Sequence, residues 1–208
     1  MYKNLVFDFD GTIVQSLEGI YKKITDNLDI ETPPFHEIRK YPSHELYTLF
    51  EGKMNKLQIA ALLLQARTEY KEILSKLDPV IGIKETLKNL NQSGARLFLC
   101  TSNSKQNAKN FLKLHGLEDH FETIVGAQSL FGKAHGIKKT LKQFKLAPHE
   151  TIYIGDETRD LQAANKAGIG CALVTWGFNE RSLLERYQPK FLFDNAHELL
   201  TLIKVDVR

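Results

Sequence analysis

Cysteine is scarce in this chain: 2 among 208 residues, Cys100 and Cys171. Both stand in apolar, strand-like runs. That placement suits small buried hydrophobes rather than a disulfide or a metal pair. The 7 histidines (His36, His44, His115, His120, His135, His149 and His197) show no metal-ligand spacing, and none is assigned a role. A strong charge bias is also missing, since 28 basic and 25 acidic residues leave a net +3. With no basic block and no arginine-rich tail, nucleic acid is not an expected partner. No apolar run reaches membrane-spanning length, and the chain starts on a short strand-like run instead of a signal peptide. The expectation is a cytoplasmic protein with no membrane partner. No internal repeat or low-complexity segment is visible, and no pattern speaks to oligomeric state.

Short apolar runs recur at Leu5–Phe7, Leu97–Cys100, Thr123–Val125, Thr151–Ile154, Cys171–Val174 and Phe191–Phe193. Between the later ones, apolar residues recur at helical spacing in Ile83–Leu90, Ala108–His115, Ile137–Phe144 and Leu161–Ala167. Strand alternating with helix predicts an α/β fold, a Rossmann-like parallel sheet covered by helices on both faces. One interval breaks the rhythm. From 16 to 78 there is no convincing strand. Ile20, Ile24 and Leu28 share a helical face, and Leu57–Leu77 carries Ala60, Ala61, Leu64, Ile73 and Leu77 in a long helical pattern. Pro33-Pro34 and Pro42 interrupt the segment, and Pro79 and Gly82 mark the return. The expected organisation is an α/β core over 1–15 and 79–208, with a small α-helical insertion over 16–78.

Chemistry concentrates at strand ends, where open parallel sheets bind ligands. The first run leads into Asp8-Phe9-Asp10-Gly11-Thr12. Alternation along a strand would send both carboxylates to one side. Two like charges that close repel unless a cation or a shared proton separates them. The second run leads into Thr101-Ser102-Asn103-Ser104, and the fourth into Gly155-Asp156-Glu157-Thr158-Arg159-Asp160. Lys133 stands between the third strand and the next helix. Carboxylates, a hydroxyl and an ammonium would thus converge on one spot. Several of these residues also suit structural work. Asp156 and Asp160 fit the first turn of a helix, and Thr101 or Ser102 fits a cap for the helix near Ser104. Trp176-Gly177, after the fifth strand, reads as packing.

The order DFDGT, a hydroxyl after the second strand, an isolated lysine and GDETRD resembles the four motifs of the haloacid dehalogenase-like hydrolase superfamily. The phosphoglycolate phosphatase-like branch is the most similar, and the likeness spans nearly the whole chain. The helical insertion resembles that superfamily's cap of the first type. The resemblance implies a Mg²⁺-dependent phosphatase acting on a small phosphorylated metabolite, phosphoglycolate-like or a sugar phosphate. Asp8 would be the nucleophile that forms an aspartyl-phosphate. Asp10 would protonate the leaving oxygen and then deprotonate the hydrolytic water. Asp8, the backbone carbonyl of Asp10, and Asp156 would hold Mg²⁺, whose preference is for hard oxygen ligands. Thr101 and Lys133 would act as catalytic donors to the phosphoryl group, with Thr12, Ser102 and Asn103 among the substrate-binding residues. Asp160 would orient the metal shell or Lys133 rather than ligate.

Other readings of the same motifs are a phosphomutase of the β-phosphoglucomutase type and a low-turnover Mg²⁺-binding regulatory module. The chain departs from the commonest pattern in places. Gln15 replaces a frequent acid, the second motif reads Thr-Ser-Asn, and no proline follows Lys133. Arg39, Lys40 and His44 are polar residues of the insertion, expected mainly at its surface.

Overall fold

Asn4–Phe7 forms β1, and all four residues are buried. A strand with no polar face must be covered on both sides. In the computed structural model, which describes residues 1–26, 28, 31–50, 53, 55, 58, 70, 72–126 and 132–203, β1 lies at the centre of a six-stranded sheet. The others are β2 (Arg96–Thr101), β3 (Thr123–Gly126), β4 (Thr151–Gly155), β5 (Gly170–Val174) and β6 (Phe191–Phe193). The order is β3-β2-β1-β4-β5-β6, and every pairing is parallel.

Alternation sorts the strand residues between two hydrophobic layers. Leu5, Phe7, Leu97, Leu99, Ile152, Ile154, Ala172 and Val174 enter one layer. It is closed by α3 (Ile83–Gln92) and α4 (Lys105–Leu114), through Leu87, Leu90, Ala108 and Phe111. Val6, Phe98, Cys100, Tyr153, Cys171 and Leu173 enter the other. That layer is closed by α5 (Gly132–Phe144), α6 (Thr158–Ala167) and α7 (Arg181–Arg186), through Ile137, Ala164 and Leu184. Cys100 and Cys171 are buried free thiols in this second layer.

Three helices begin earlier than their apolar periodicity suggests. Periodicity registers only the buried face, whereas caps set the start. Ser104 caps α4 by accepting a hydrogen bond from the Asn107 N–H at 3.0 Å. Glu157 and Asp160 form a reciprocal capping box on α6. The start of α5 moves Lys133 from the preceding loop into the first helical turn.

The insertion leaves and rejoins the core at one place. Val14 pairs with Pro79 across an antiparallel bridge, and the Val80 N–H donates to the Ile13 carbonyl at 2.9 Å. Between them lie α1 (Leu17–Thr25), α2 (Phe35–Ile38) and a 3₁₀ stretch over Ser43–Phe50. Ile20 of α1 packs on the core. The Ile24 side chain, and most of the expected helix over Leu57–Leu77, lie outside the described residues. No described helix is long and apolar enough to cross a membrane.

Candidate active site

The chain runs from β1 outward to β2 and β3, then returns to place β4 on the other side of β1. This reversal opens a crevice beyond the carboxyl ends of β1 and β4. Asp8 follows β1 and Asp156 follows β4, so topology brings the two carboxylates together. The Asp8 N–H donates to the Ile154 carbonyl at 2.8 Å, which continues the ladder to the rim.

Lys133 reaches the crevice from α5. Its Nζ donates to Asp8 Oδ2 at 2.6 Å and also to Asp160 Oδ1. All three side chains are buried. Asp8 Oδ1 has no protein hydrogen bond among the described residues, so one carboxylate oxygen is pinned and the other is open. Asp160 Oδ2 accepts from the backbone N–H groups of Asp156 and Glu157, both at 3.0 Å. Both oxygens of Asp160 are therefore engaged, one by the lysine and one by its own helix start.

Asp156 is fully buried. Its Oδ1 accepts from the Thr12 hydroxyl at 3.0 Å, and its Oδ2 accepts from the Phe178 N–H at 2.7 Å. Backbone closes on both sides of this carboxylate: a Cβ on Gly11 or Gly177 would collide with it. Gly11 also needs its left-handed φ of 72° to turn the chain out of β1. Thr12, expected among the substrate-binding residues, is fully buried and its hydroxyl bonds Asp156, because the Gly11 turn aims it at the end of β4. The Trp176 indole N–H donates to the Thr12 carbonyl at 3.2 Å and braces the same turn.

Asp10 enters a separate network. The strand ends at Phe7, so alternation no longer governs Asp10. Its Oδ1 accepts from Ser16 Oγ at 2.9 Å and from the Tyr70 hydroxyl, and its Oδ2 accepts from Asn103 Nδ2 at 3.1 Å. Thr101 Oγ1 accepts from the Asn103 N–H at 2.9 Å, and its own proton meets no protein acceptor among the described residues. Asn103, expected on substrate, thus organises Asp10 and Thr101. Ser102 is exposed, and among the described residues its hydroxyl has no partner.

The loop after β5 and residue Arg39 were not singled out by sequence for this role. Arg39 Nε and Nη2 donate to the Phe178 and Thr175 carbonyls at 3.0 and 3.1 Å. Asn179, fully buried, accepts from the Thr158 N–H at 3.0 Å and donates to the Tyr41 carbonyl at 2.9 Å. The insertion therefore grips the loop whose Phe178 N–H holds Asp156. A backbone donor carries no sequence signal, but the strand-end rule applied to β5 would have pointed to Trp176-Gly177-Phe178-Asn179. Arg39→Lys is expected to lose one of the two carbonyl contacts and about 1–3 kcal/mol. Urea unfolding with an unchanged m-value would show it.

Charge does not balance in the crevice. Carboxylate oxygens of Asp8, Asp156 and Asp160 lie within 4.8 Å of one another, all buried. Lys133 supplies one positive charge against three, while Glu157 is paired with Arg159 at 2.6 Å. Burial, then the charge of Asp160, pushes the Asp8 carboxyl up to about 7 despite the pull of Lys133. Burial, then the charge of Asp160, holds Asp156 well above the usual carboxylate range. For Lys133 burial pulls downward, but Asp160 and Asp8 outweigh it and keep the ammonium charged. Burial and the neighbouring Asp10 charge raise the Tyr70 phenol, which stays a donor. An all-oxygen donor set with surplus negative charge fits a hard divalent cation such as Mg²⁺. Asp160 accepts three hydrogen bonds, Asp156 two and Asp8 one, so Asp8 and Asp156 keep the most acceptor capacity for it.

Comparison with known proteins agrees with this geometry. A sequence model of the family described as haloacid dehalogenase-like hydrolase matches residues 5–174. A phosphoglycolate phosphatase of Synechococcus elongatus is 27% identical over 205 residues, covering 96% of both chains. The pyrophosphatase PpaX of Bacillus cereus is 24% identical over 209 residues, covering 96% of this chain and 95% of its own. Among solved structures, a haloacid dehalogenase-like family hydrolase of Streptococcus pneumoniae superimposes with a TM-score of 0.83 at 28% identity, covering 98% of this chain and 99% of that one. With most of its length matched by the family and its strand-end acids gathered at the switch point, the chain belongs to the haloacid dehalogenase-like hydrolase family.

Proposed function

We propose that this hydrolase is a Mg²⁺-dependent phosphatase of small phosphorylated metabolites, working through an aspartyl-phosphate on Asp8. The observation that carries the reading is the division of the two motif acids. Asp8 is pinned by Lys133 through one oxygen and open at the other, while Asp10 is held apart by neutral donors. Oδ1 of Asp8 attacks phosphorus, and the bond from phosphorus to the leaving oxygen breaks as Asp10 gives that oxygen its proton. Asp10 then takes a proton from water as the water oxygen bonds phosphorus and Asp8 is released. Lys133 and the free Thr101 hydroxyl proton serve the phosphoryl oxygens. Asp8, Asp156 and the Asp10 backbone carbonyl would hold Mg²⁺, which supplies positive charge to the transferring group. The segment 16–78 serves as the cap that covers the site and reads the leaving group. Its adjacent ends at Val14 and Pro79 support that role.

The relatives named phosphoglycolate phosphatase and pyrophosphatase support hydrolysis over a phosphomutase reaction. A panel of phosphoglycolate, pyrophosphate, sugar phosphates and nucleotides, assayed for free phosphate with Mg²⁺ and with chelator, tests the reading. Mg²⁺-dependent release from at least one compound is expected. No release from any of them, or an isomer in place of free phosphate, would overturn it.

Asp156 offers a check independent of turnover. A carboxyl whose folded pKa is raised stabilises the fold below its unfolded pKa, near 3.9, and that contribution is lost as pH rises through the folded value. In metal-free protein, Asp156 and Asp8 therefore weaken the fold increasingly above about pH 4. Asp156→Asn keeps an acceptor for the Phe178 N–H and offers an amide to Thr12 without the charge. Without metal, its melting temperature should exceed the parent's at pH 8 and approach it at pH 5. Its gain on adding Mg²⁺ should vanish. An equal Mg²⁺-induced shift in both proteins would remove Asp156 from the cation site.

A further inference from the structure

Asp10 is held from three directions. Ser16 belongs to the start of the insertion, and Asn103 to the loop after β2. Tyr70 comes from the far end of the insertion, 60 residues along the chain. Its ring is buried in the same hydrophobic layer as Phe9, Ile13 and Leu74, so its placement depends on how the insertion seats on the core.

The distribution of donors over the carboxyl is uneven. Ser16 and Tyr70 both donate to Oδ1, and Asn103 alone donates to Oδ2. In a carboxylic acid the carbonyl oxygen accepts and the hydroxyl oxygen bears the proton. Two hydroxyl donors anchor Oδ1 and a single amide donor holds Oδ2, so Oδ2 is the less engaged oxygen and the one freer to meet substrate. A half-buried aspartate on a turn otherwise samples several rotamers, and a misaimed general acid loses much of its advantage.

We propose that Tyr70 is a positioning residue for proton transfer: its hydroxyl, brought by the insertion, sets the orientation of Asp10. This rests on the reading of Asp10 as the proton carrier. Seating of the insertion and aiming of the acid thereby become one event. With Tyr70 out of place, Oδ1 keeps only Ser16 as donor and Asp10 is poorly directed.

Leaving-group chemistry separates this role from a structural one. An alkoxide departs only with a proton, whereas 4-nitrophenolate departs readily without one. Tyr70→Phe in the full chain keeps the ring and removes only the hydroxyl. With Mg²⁺, its kcat/KM on phosphoglycolate, or on the best alkyl phosphate of the panel, should fall about 10-fold, since kcat/KM reports the steps up to loss of the leaving group. Its kcat/KM on 4-nitrophenyl phosphate should stay within about two-fold of the parent, whereas hydrolysis of the aspartyl-phosphate, in which Asp10 is the base, slows kcat on both substrates alike. Ser16→Ala, which removes the other donor to Oδ1, should show the same selectivity. Equal losses of kcat/KM on both substrates, or no loss on either, would overturn the role of Tyr70. Asp10→Asn is the parallel control. Its failure to show a selective alkyl-phosphate defect in kcat/KM would remove Asp10 as the acid for the leaving group, and the proposal with it. A selective defect in Asp10→Asn without one in Tyr70→Phe would overturn the Tyr70 assignment alone.

Discussion

Asp8→Asn should slow phosphate release by about 10⁴-fold or more, while the protein still folds. The substitution is nearly isosteric, yet an amide is no nucleophile toward phosphorus. No charge is orphaned, because Lys133 keeps Asp160 as its counterion. Removing one of three crowded carboxylates should even raise the metal-free melting temperature at pH 8, since burial pushes the Asp8 carboxyl up to about 7. A second measurement addresses the covalent step. Parent enzyme quenched in acid during turnover of ³²P-labelled substrate should carry label that hydroxylamine removes, as an acyl phosphate requires. The Asp8→Asn protein should carry none. Undiminished turnover in a clean preparation of the variant would remove Asp8 as the nucleophile.

Lys133→Met should produce the largest loss of stability. The substitution leaves Asp8 and Asp160 buried with no counterion between them. Breaking a buried pair from one side costs about 3–5 kcal/mol. For a chain of this size, each kcal/mol corresponds to roughly 2–4 °C, so a fall of about 6–20 °C is expected at pH 8. The sign of the pH dependence follows from the carboxyls. Losing the ammonium removes the influence that pulls Asp8 down, so its folded value rises further above its unfolded one. A raised carboxyl is comfortable when protonated and costly when ionised, so the deficit should be full at pH 8 and should shrink toward pH 5. Added Mg²⁺ should recover part of it. A gap independent of pH would mean that the lysine stem acts through packing and that its charge does not matter. Turnover should fall about 10²–10³-fold as well, because the phosphoryl group loses its fixed cation.

How much of this site was legible in the sequence depends on the kind of contact. Asp8, Thr101 and Asp156 could be placed because each follows a strand in a parallel sheet, and such sheets gather ligands at one rim. Lys133 stood out as an isolated lysine between the third strand and the next helix. Its partners are Asp8 and Asp160, separated from it by 125 and 27 residues. The Thr12 hydroxyl bonds Asp156, 144 residues along the chain, a partner that its place in the motif does not name. Arg39 was expected mainly at the surface because a charged residue of a helical insertion usually faces solvent. Its donors instead reach two carbonyls more than 130 residues away. Phe178 had no side-chain signal at all, since the group that matters is its backbone N–H.

The sequence by itself determined the layered architecture and the inventory of reactive groups. Both are local properties: a period of two or of 3.6 residues shows which faces are buried, and carboxylates at strand ends are visible as letters. The tertiary structure alone decided which acid received which partner. The reversal of strand order set Asp8 beside Asp156, α5 carried Lys133 to Asp8 and Asp160, and the insertion returned Tyr70 to Asp10. A side chain acquires its role from distance and dielectric. Both depend on how segments far apart in the chain pack, which no local pattern records.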